Sequence, residues 1–499
     1  MVKFTGDPRA PDFFAPERFE ASIYDCEVIG QIPSSLTGAF VRVSTEWLYP
    51  PRFEHDAILS ADGLVSMFRF KDGVVDFTAR WVRTERWERN RAAGRQLYGL
   101  YRNPYTDDPA IRAETLARPA SRTVANTNVM AHAGKLFAMK EDGLPYELDP
   151  VTLATRGTLT FGGGYESETF SAHPKIDPES GEMIAYGYEA EGLASNAIHL
   201  YSIGRDGRVT RKARISAPYV SMVHDIAVTQ QHVIFPVLGF ETSRERLEAG
   251  KIHWAWNARL PSYFGILPRD GEARELRWFK GPPREMIHTF NAWTEGHKVI
   301  LESPVGESNP FPFFPPDPGN EDSPAARRGW DIRRYTFDLD SGSDGFEEEI
   351  VHAGPVGPFG RIDERYLTVR NRYVYAHFTA AERPIPDGPA SRVRARVTNC
   401  YGRFDMHTGA VSAYYAGPTH SLHEPVFVPR SPGSPEGEGY VVGVADNLAE
   451  MRSELIIADA EHLEEGDVAR VILPFRLGPQ VHGNWIPAER LPLDRAAAR

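Results

Sequence analysis

Apolar residues in this chain come in short runs of β-branched and aromatic type, not in long helical stripes. Residues 64–70 and 74–82 are two such runs around Lys71-Asp72-Gly73, a pattern that predicts a hairpin. It recurs. Residues 135–141 run into Asp142-Gly143, and residues 183–188 and 198–203 lead to Arg205-Asp206-Gly207. Further runs fall at 232–238, 299–301, 334–339, 373–378, 411–415, 440–444, 454–458 and 471–475. Helical patterns are confined to 84–96, 109–116 and 242–248. Short strands with turn signals along the whole length predict an all-β fold: a sandwich, a barrel or a propeller. The 499 residues suit a single β-propeller domain over 1–499, of about seven four-stranded blades. Residues 1–35, rich in Pro and Phe, read as a mostly irregular arm packed on that body. No WD or kelch-type signature repeats, so the pattern alone leaves the blade number open.

Composition narrows the function classes. Hydrophobic residues make up 41% of the chain, enough for a core, and no run approaches the roughly 18 apolar residues of a membrane span. The beginning of the chain lacks the layout of an export signal, and there are only two cysteines, Cys26 and Cys400; the expectation is a cytoplasmic protein without disulfides. A net charge of −12 with scattered Lys and Arg argues against nucleic acid as a partner. Membrane contact is not expected, and a homodimer is allowed. The chain has no G-x-S-x-G elbow, and Gly162-Gly163-Gly164 lacks the G-K-[ST] of a phosphate loop.

Candidate chemistry lies in four histidines with similar settings: Ser171-Ala172-His173-Pro174, Met222-Val223-His224-Asp225, Met286-Ile287-His288-Thr289 and Gln480-Val481-His482-Gly483. Each lies beside a β-like run, and His482 stands among small residues that let backbone pack closely. A propeller brings inner strands from distant blades to one axis, so these four could meet at a single metal ion. Taken singly, a histidine on a strand is more often structural than a ligand, and His55, His132, His253, His420 and His423 have comparable settings.

Taken together, the segments resemble the carotenoid cleavage oxygenase family, and within it the bacterial lignostilbene dioxygenase branch. The resemblance runs over nearly the whole chain. It includes Gly30-Gln31-Ile32-Pro33-Ser34-Ser35-Leu36-Thr37-Gly38, Ala61-Asp62-Gly63-Leu64-Val65, Lys140-Glu141-Asp142-Gly143-Leu144-Pro145-Tyr146, the four histidine motifs, Arg361-Ile362-Asp363-Glu364-Arg365 and His423-Glu424-Pro425-Val426. It implies a seven-bladed propeller, with loops and short helices capping an axial site, and one Fe(II) per chain held by His173, His224, His288 and His482. Neutral imidazole suits iron, and open positions would admit O2. The resemblance also implies that glutamates accept the ligands' other ring N–H, with Glu141 and Glu424 in two such places. At the third, the chain has Pro358 where the family usually has Glu. A water, a backbone carbonyl or Glu364 is left to orient His288.

The resemblance further implies oxidative cleavage of the central C=C bond of a 4-hydroxystilbene, a lignostilbene or resveratrol type, into two aromatic aldehydes. Lys140 and Tyr101 correspond to the lysine and tyrosine that grip the substrate 4-hydroxyl. Leu59 stands where that branch often has Phe. Phe311 and Phe313, in the stiff run Pro310-Phe311-Pro312-Phe313-Phe314-Pro315-Pro316, are candidate lining residues of a substrate channel. Strand alternation would point Lys140 and Glu141 to opposite faces unless the chain bends at Asp142-Gly143. The alternatives are apocarotenoid cleavage, a calcium-dependent hydrolase and a non-catalytic propeller scaffold.

Overall fold

The computed structural model describes residues 15–326, 329–386 and 397–491. Among these, the strands form seven sheets of four or more strands around one axis, plus a two-stranded sheet in an insertion: a seven-bladed β-propeller. Five of the blades are antiparallel meanders whose order follows the chain, as in the blade built from Asn128–His132, Lys135–Met139, Tyr146–Leu148 and Thr155–Thr158.

The ring closes through pairing of distant segments. Gln480–Pro487 lies along Gly38–Glu46 with Phe40 opposite Trp485 and Arg42 opposite Gly483. A Cβ at Gly483 would lie 2.3 Å from Cγ of Arg42 and 2.6 Å from the Val41 carbonyl, so only glycine allows this approach. Arg42 is fully buried and donates to the carbonyls of Glu424 (2.5 Å) and Val481. The closure thereby holds the segments on either side of His482.

Three sequence expectations change here. Residues 1–14 of the expected arm lie outside the described residues. After them the chain is not merely irregular: Ala21–Ile23 pairs with Val74–Trp81, and Val28–Gly30 with Asp467–Ile472, adding outer strands to two blades. The strand expected at 135–141 ends at Met139, and that expected at 471–475 is Asp467–Ile472. The helices form near their predicted places. Glu85–Ala93 begins where Thr84 accepts from the Trp87 amide and stops at Gly94, with φ of 65°; Arg112–Ala117 and Arg244–Glu248 are short.

Apolar side chains pack between neighbouring blades. Val41, Val43, Val65 and Met67 meet Val129, Leu136, Ala138 and Leu148 in one such layer, and Ile234, Phe264 and Ile266 meet Val299, Leu301 and Phe337 in another. Each fully buried side chain of this kind contributes about 1.5–3 kcal/mol. The layers make the ring rigid enough to hold side chains from different blades in register.

The inserted segments are joined to one another as a cap. Asn103 donates to the carbonyls of Leu247 (2.9 Å) and Lys251 (2.6 Å), Tyr101 packs on Phe314 at 5.2 Å between ring centres, and Arg246 reaches Asp317 at 2.7 Å. No helix among the described residues is long and apolar enough to cross a membrane.

Candidate metal centre

The same place in successive blades supplies the centre. His173, His224 and His288 each stand two or three residues ahead of the first strand of a blade, at Lys175–Ile176, Ala227–Val228 and Asn291–Glu295. In the next two blades that place holds Pro358 and Glu424, ahead of Gly360–Arg361 and Val426–Pro429. His482 comes from the closing strand.

The four imidazoles converge: one ring nitrogen of each lies within 4.8 Å of all the others. Nε2 of His224 is 3.1 Å from Nε2 of His173 and 3.2 Å from Nε2 of His288. Two bonds of about 2.1 Å meeting near a right angle would place nitrogens about 3 Å apart. On three rings the other nitrogen has an acceptor. Nδ1 of His224 meets Oε1 of Glu141, Nδ1 of His288 lies 2.9 Å from the Pro358 carbonyl, and Nδ1 of His482 lies 3.0 Å from Oε1 of Glu424. With Nδ1 carrying the proton on these rings, the Nε2 lone pairs of His224 and His288 face each other at close range, an arrangement that a cation between them relieves. The donor set fits one metal ion with all-nitrogen ligation.

Electrostatics agree with neutral imidazoles. Burial, then the neighbouring rings of His482 and His224, push His173 and His288 well below the ordinary histidine value, and burial lowers His482 despite Glu424. Burial pushes Glu141 up, but His224, its hydrogen bond and Lys140 outweigh burial and hold the carboxyl down at about 2. Burial likewise raises Glu424, and His482, Arg361 and Arg42 together bring it to about 2.

The backbone carbonyl of Pro358 thus takes the third acceptor place, while Glu364 pairs with Arg361 at 2.9 Å. A carbonyl needs no particular side chain, which is why no residue type signalled it. Asp225 also went unsingled. It binds Lys175 (2.8 Å) through one oxygen and the amide (2.8 Å) and hydroxyl (3.0 Å) of Thr289 through the other. It therefore ties together the segments that follow His173, His224 and His288. A further chain runs from Glu141 through the Tyr188 hydroxyl to Arg102 (2.8 Å), whose other nitrogen meets Glu189 at 2.5 Å; His253 lies 2.9 Å from the same carboxylate.

Lys140 and Glu141 lie beyond the strand end at Met139, so strand alternation does not apply to them. Lys140 is buried, with Nζ 2.9 Å from the Leu59 carbonyl, 3.4 Å from the Asn126 side-chain oxygen and 4.7 Å from the centre of the Tyr101 ring. Asn126 in turn donates to the carbonyls of Leu59 (3.0 Å) and Ala61 (2.7 Å). Burial lowers the Lys140 ammonium, with Asp142 and Glu141 acting against it, and burial followed by Glu141 raises the Tyr101 phenol well above its ordinary range. Leu59, Phe311 and Phe313 are partly buried and pack on the cluster that contains Tyr101 and Phe314. Phe311 stacks on Phe313 at 5.2 Å.

A cavity of about 920 Å³ opens onto His173, His288 and His482. Its walls do not include Lys140, Tyr101, Leu59, Phe311 or Phe313.

Comparison with known proteins places these features in context. The model of the family described as RPE65, retinal pigment epithelial membrane protein, matches residues 14–487. The chain is 38% identical over 481 residues to isoeugenol monooxygenase of Pseudomonas nitroreducens, covering 96% of this chain and 98% of that one. It is 38% identical over 496 residues to lignostilbene-alpha,beta-dioxygenase isozyme III of Sphingomonas paucimobilis, covering 99% and 100%. The crystal structure of Pseudomonas brassicacearum lignostilbene dioxygenase superposes with a TM-score of 0.91 at 36% identity, covering 98% of this chain and 100% of that one.

Proposed function

The chain belongs to the RPE65 and carotenoid oxygenase family, and on that premise we propose that it is an iron enzyme cleaving the central C=C bond of a 4-hydroxystilbene with O2 to give two aromatic aldehydes. It is a C=C-cleaving oxygenase; the stilbene, the iron and the residue roles are the proposal.

The observation that carries the substrate reading is Lys140. Its ammonium has three donors, and two are directed at the Leu59 carbonyl and the Asn126 oxygen. The third is left for a substrate oxygen beside the Tyr101 ring. A free phenol titrates near 10. Held against this ammonium away from water, the 4-hydroxyl of the substrate gives up its proton more readily, and the phenolate feeds electron density through the ring to the alkene. Leu59, Tyr101, Phe311 and Phe313 offer the apolar surface for the aromatic body.

His173, His224, His288 and His482 would hold the Fe(II), whose chemistry there would be the activation of O2 for cleavage of the alkene. Glu141, Glu424 and the Pro358 carbonyl keep three of the rings in the tautomer that presents Nε2. Small molecules and O2 are thus the expected partners.

A propenylphenol would offer the same 4-hydroxyl, and one relative bears the isoeugenol name. The test is turnover of resveratrol, its 4-methoxy analogue, isoeugenol and an apocarotenal by iron-loaded protein. Resveratrol should be cleaved and the methoxy analogue spared; preference for isoeugenol would move the substrate to propenylphenols, and preference for the apocarotenal would overturn the phenol clamp.

A further inference from the structure

The 920 Å³ cavity has a direction. Its walls follow the innermost strands onward from the histidines: Asn128 to Gly134 in one blade, Lys175 to Pro178 in the next, and Asn484 to Pro487 along the closing strand. It ends among exposed residues that include Thr37, Gly134 and Ser431. The ring thus has a passage, lined by polar and apolar groups together, from the surface to three of the four histidines.

The surroundings of Lys140 are different. Leu59, Tyr101, Phe311, Phe313 and Phe314 belong to one apolar cluster there. Moving a dication through apolar surroundings is prohibitive if no ligand replaces its water. Along the passage, by contrast, charged side chains of both signs stand on the walls, Asp177, Asp225, Asp363 and Glu364 among them, so polar groups accompany an ion along its length. The cationic heads beside the centre are neutralised, Lys175 by Asp225 at 2.8 Å and Arg361 by Glu364 at 2.9 Å, so they set no repulsive barrier. The whole chain carries −12, which favours entry of cations.

We infer that this passage is the route by which the hydrated metal ion enters and leaves the four-histidine centre, separate from the side of the ring where the phenolic substrate meets Lys140. The inference rests on the metal-centre reading above. It assigns the loading of the enzyme to residues that the oxygenase reaction does not use.

The test obstructs the mouth without touching the centre. Cys26 and Cys400 are buried, and burial pushes both thiols up to about 11, so an introduced exposed cysteine is the thiol that a bulky polymer maleimide labels. Thr37→Cys and Ser431→Cys place it at the mouth, and Glu347→Cys, exposed on another blade and absent from the walls, is the control. Uptake of Co(II) by metal-free protein and its removal by a chelator are timed before and after labelling. With either mouth variant labelled, both rates should fall about tenfold or more while the equilibrium affinity stays the same, the signature of a blocked path. Rates equal to those of the labelled control, or slower uptake accompanied by weaker affinity, would overturn the passage. Failure of the metal-centre reading would show separately, as an absence of one-to-one Co(II) binding in the unlabelled protein.

Discussion

The ammonium of Lys140 stands 4.7 Å from the centre of the Tyr101 ring, inside the protein and beyond the end of its own strand. Residues 39 positions apart in the chain thereby make one cationic, aromatic corner. Lys140→Met should bind metal to the same extent as the parent yet lose about 10²-fold or more in kcat/KM for 4-hydroxystilbenes, the scale of removing one well-placed electrostatic contact. Metal analysis alongside steady-state kinetics checks it, and unaltered kinetics would remove Lys140 from the reaction.

The three acceptors behind the histidines should differ in what mutation can do to them. Glu141→Gln and Glu424→Gln weaken the hold on their rings, and metal affinity should fall about 10- to 100-fold. Pro358→Ala keeps the carbonyl that meets His288 at 2.9 Å, so its affinity should match the parent. Competition against a calibrated chelator measures all three; a loss in Pro358→Ala equal to that in the glutamate variants would contradict the carbonyl's role.

Asp225 braces three histidine-bearing segments through Lys175 and Thr289. Asp225→Ala leaves the Lys175 ammonium and the Thr289 amide without this acceptor and should cost about 3 kcal/mol in stability, as expected for breaking a buried pair. Metal affinity should fall with it, because the brace also spaces the rings. The double variant Lys175→Met/Asp225→Asn keeps an oxygen for Thr289 and should recover part of both losses in denaturation and metal titrations.

Glu285 is fully buried, accepts from Nε1 of Trp330 at 2.7 Å, and is pushed by burial from 4.5 up to about 8. Between these values the native state holds a proton that the unfolded chain has lost. The stabilisation is complete below about pH 4.5 and declines as pH rises through about 8, at no more than about 1.4 kcal/mol per pH unit. Glu285→Gln should flatten that window and be the more stable protein at pH 8. Urea midpoints from pH 5 to pH 9 read this out, and parallel curves for the two proteins would count against it.

The local chemistry of the chain decided the elements. Alternating β-branched and aromatic runs with Gly-containing turns can only become short strands, and Thr84 and Gly94 bracket a helix that forms where its signals stand. The motifs likewise carried His173, His224, His288, His482, Glu141 and Glu424, since each is a residue type with a neighbourhood of its own. What only the tertiary structure decided are relations between blades. The Pro358 carbonyl acts through backbone, which has no residue signature. Asp225 is one aspartate among many until Lys175 and Thr289 close around it, and the bend after Met139 that frees Lys140 from strand alternation depends on what packs against it. The passage to the histidines is a property of the closed ring: it exists because strands from the two ends of the chain pair and leave an axis between them, and no stretch of sequence contains an axis.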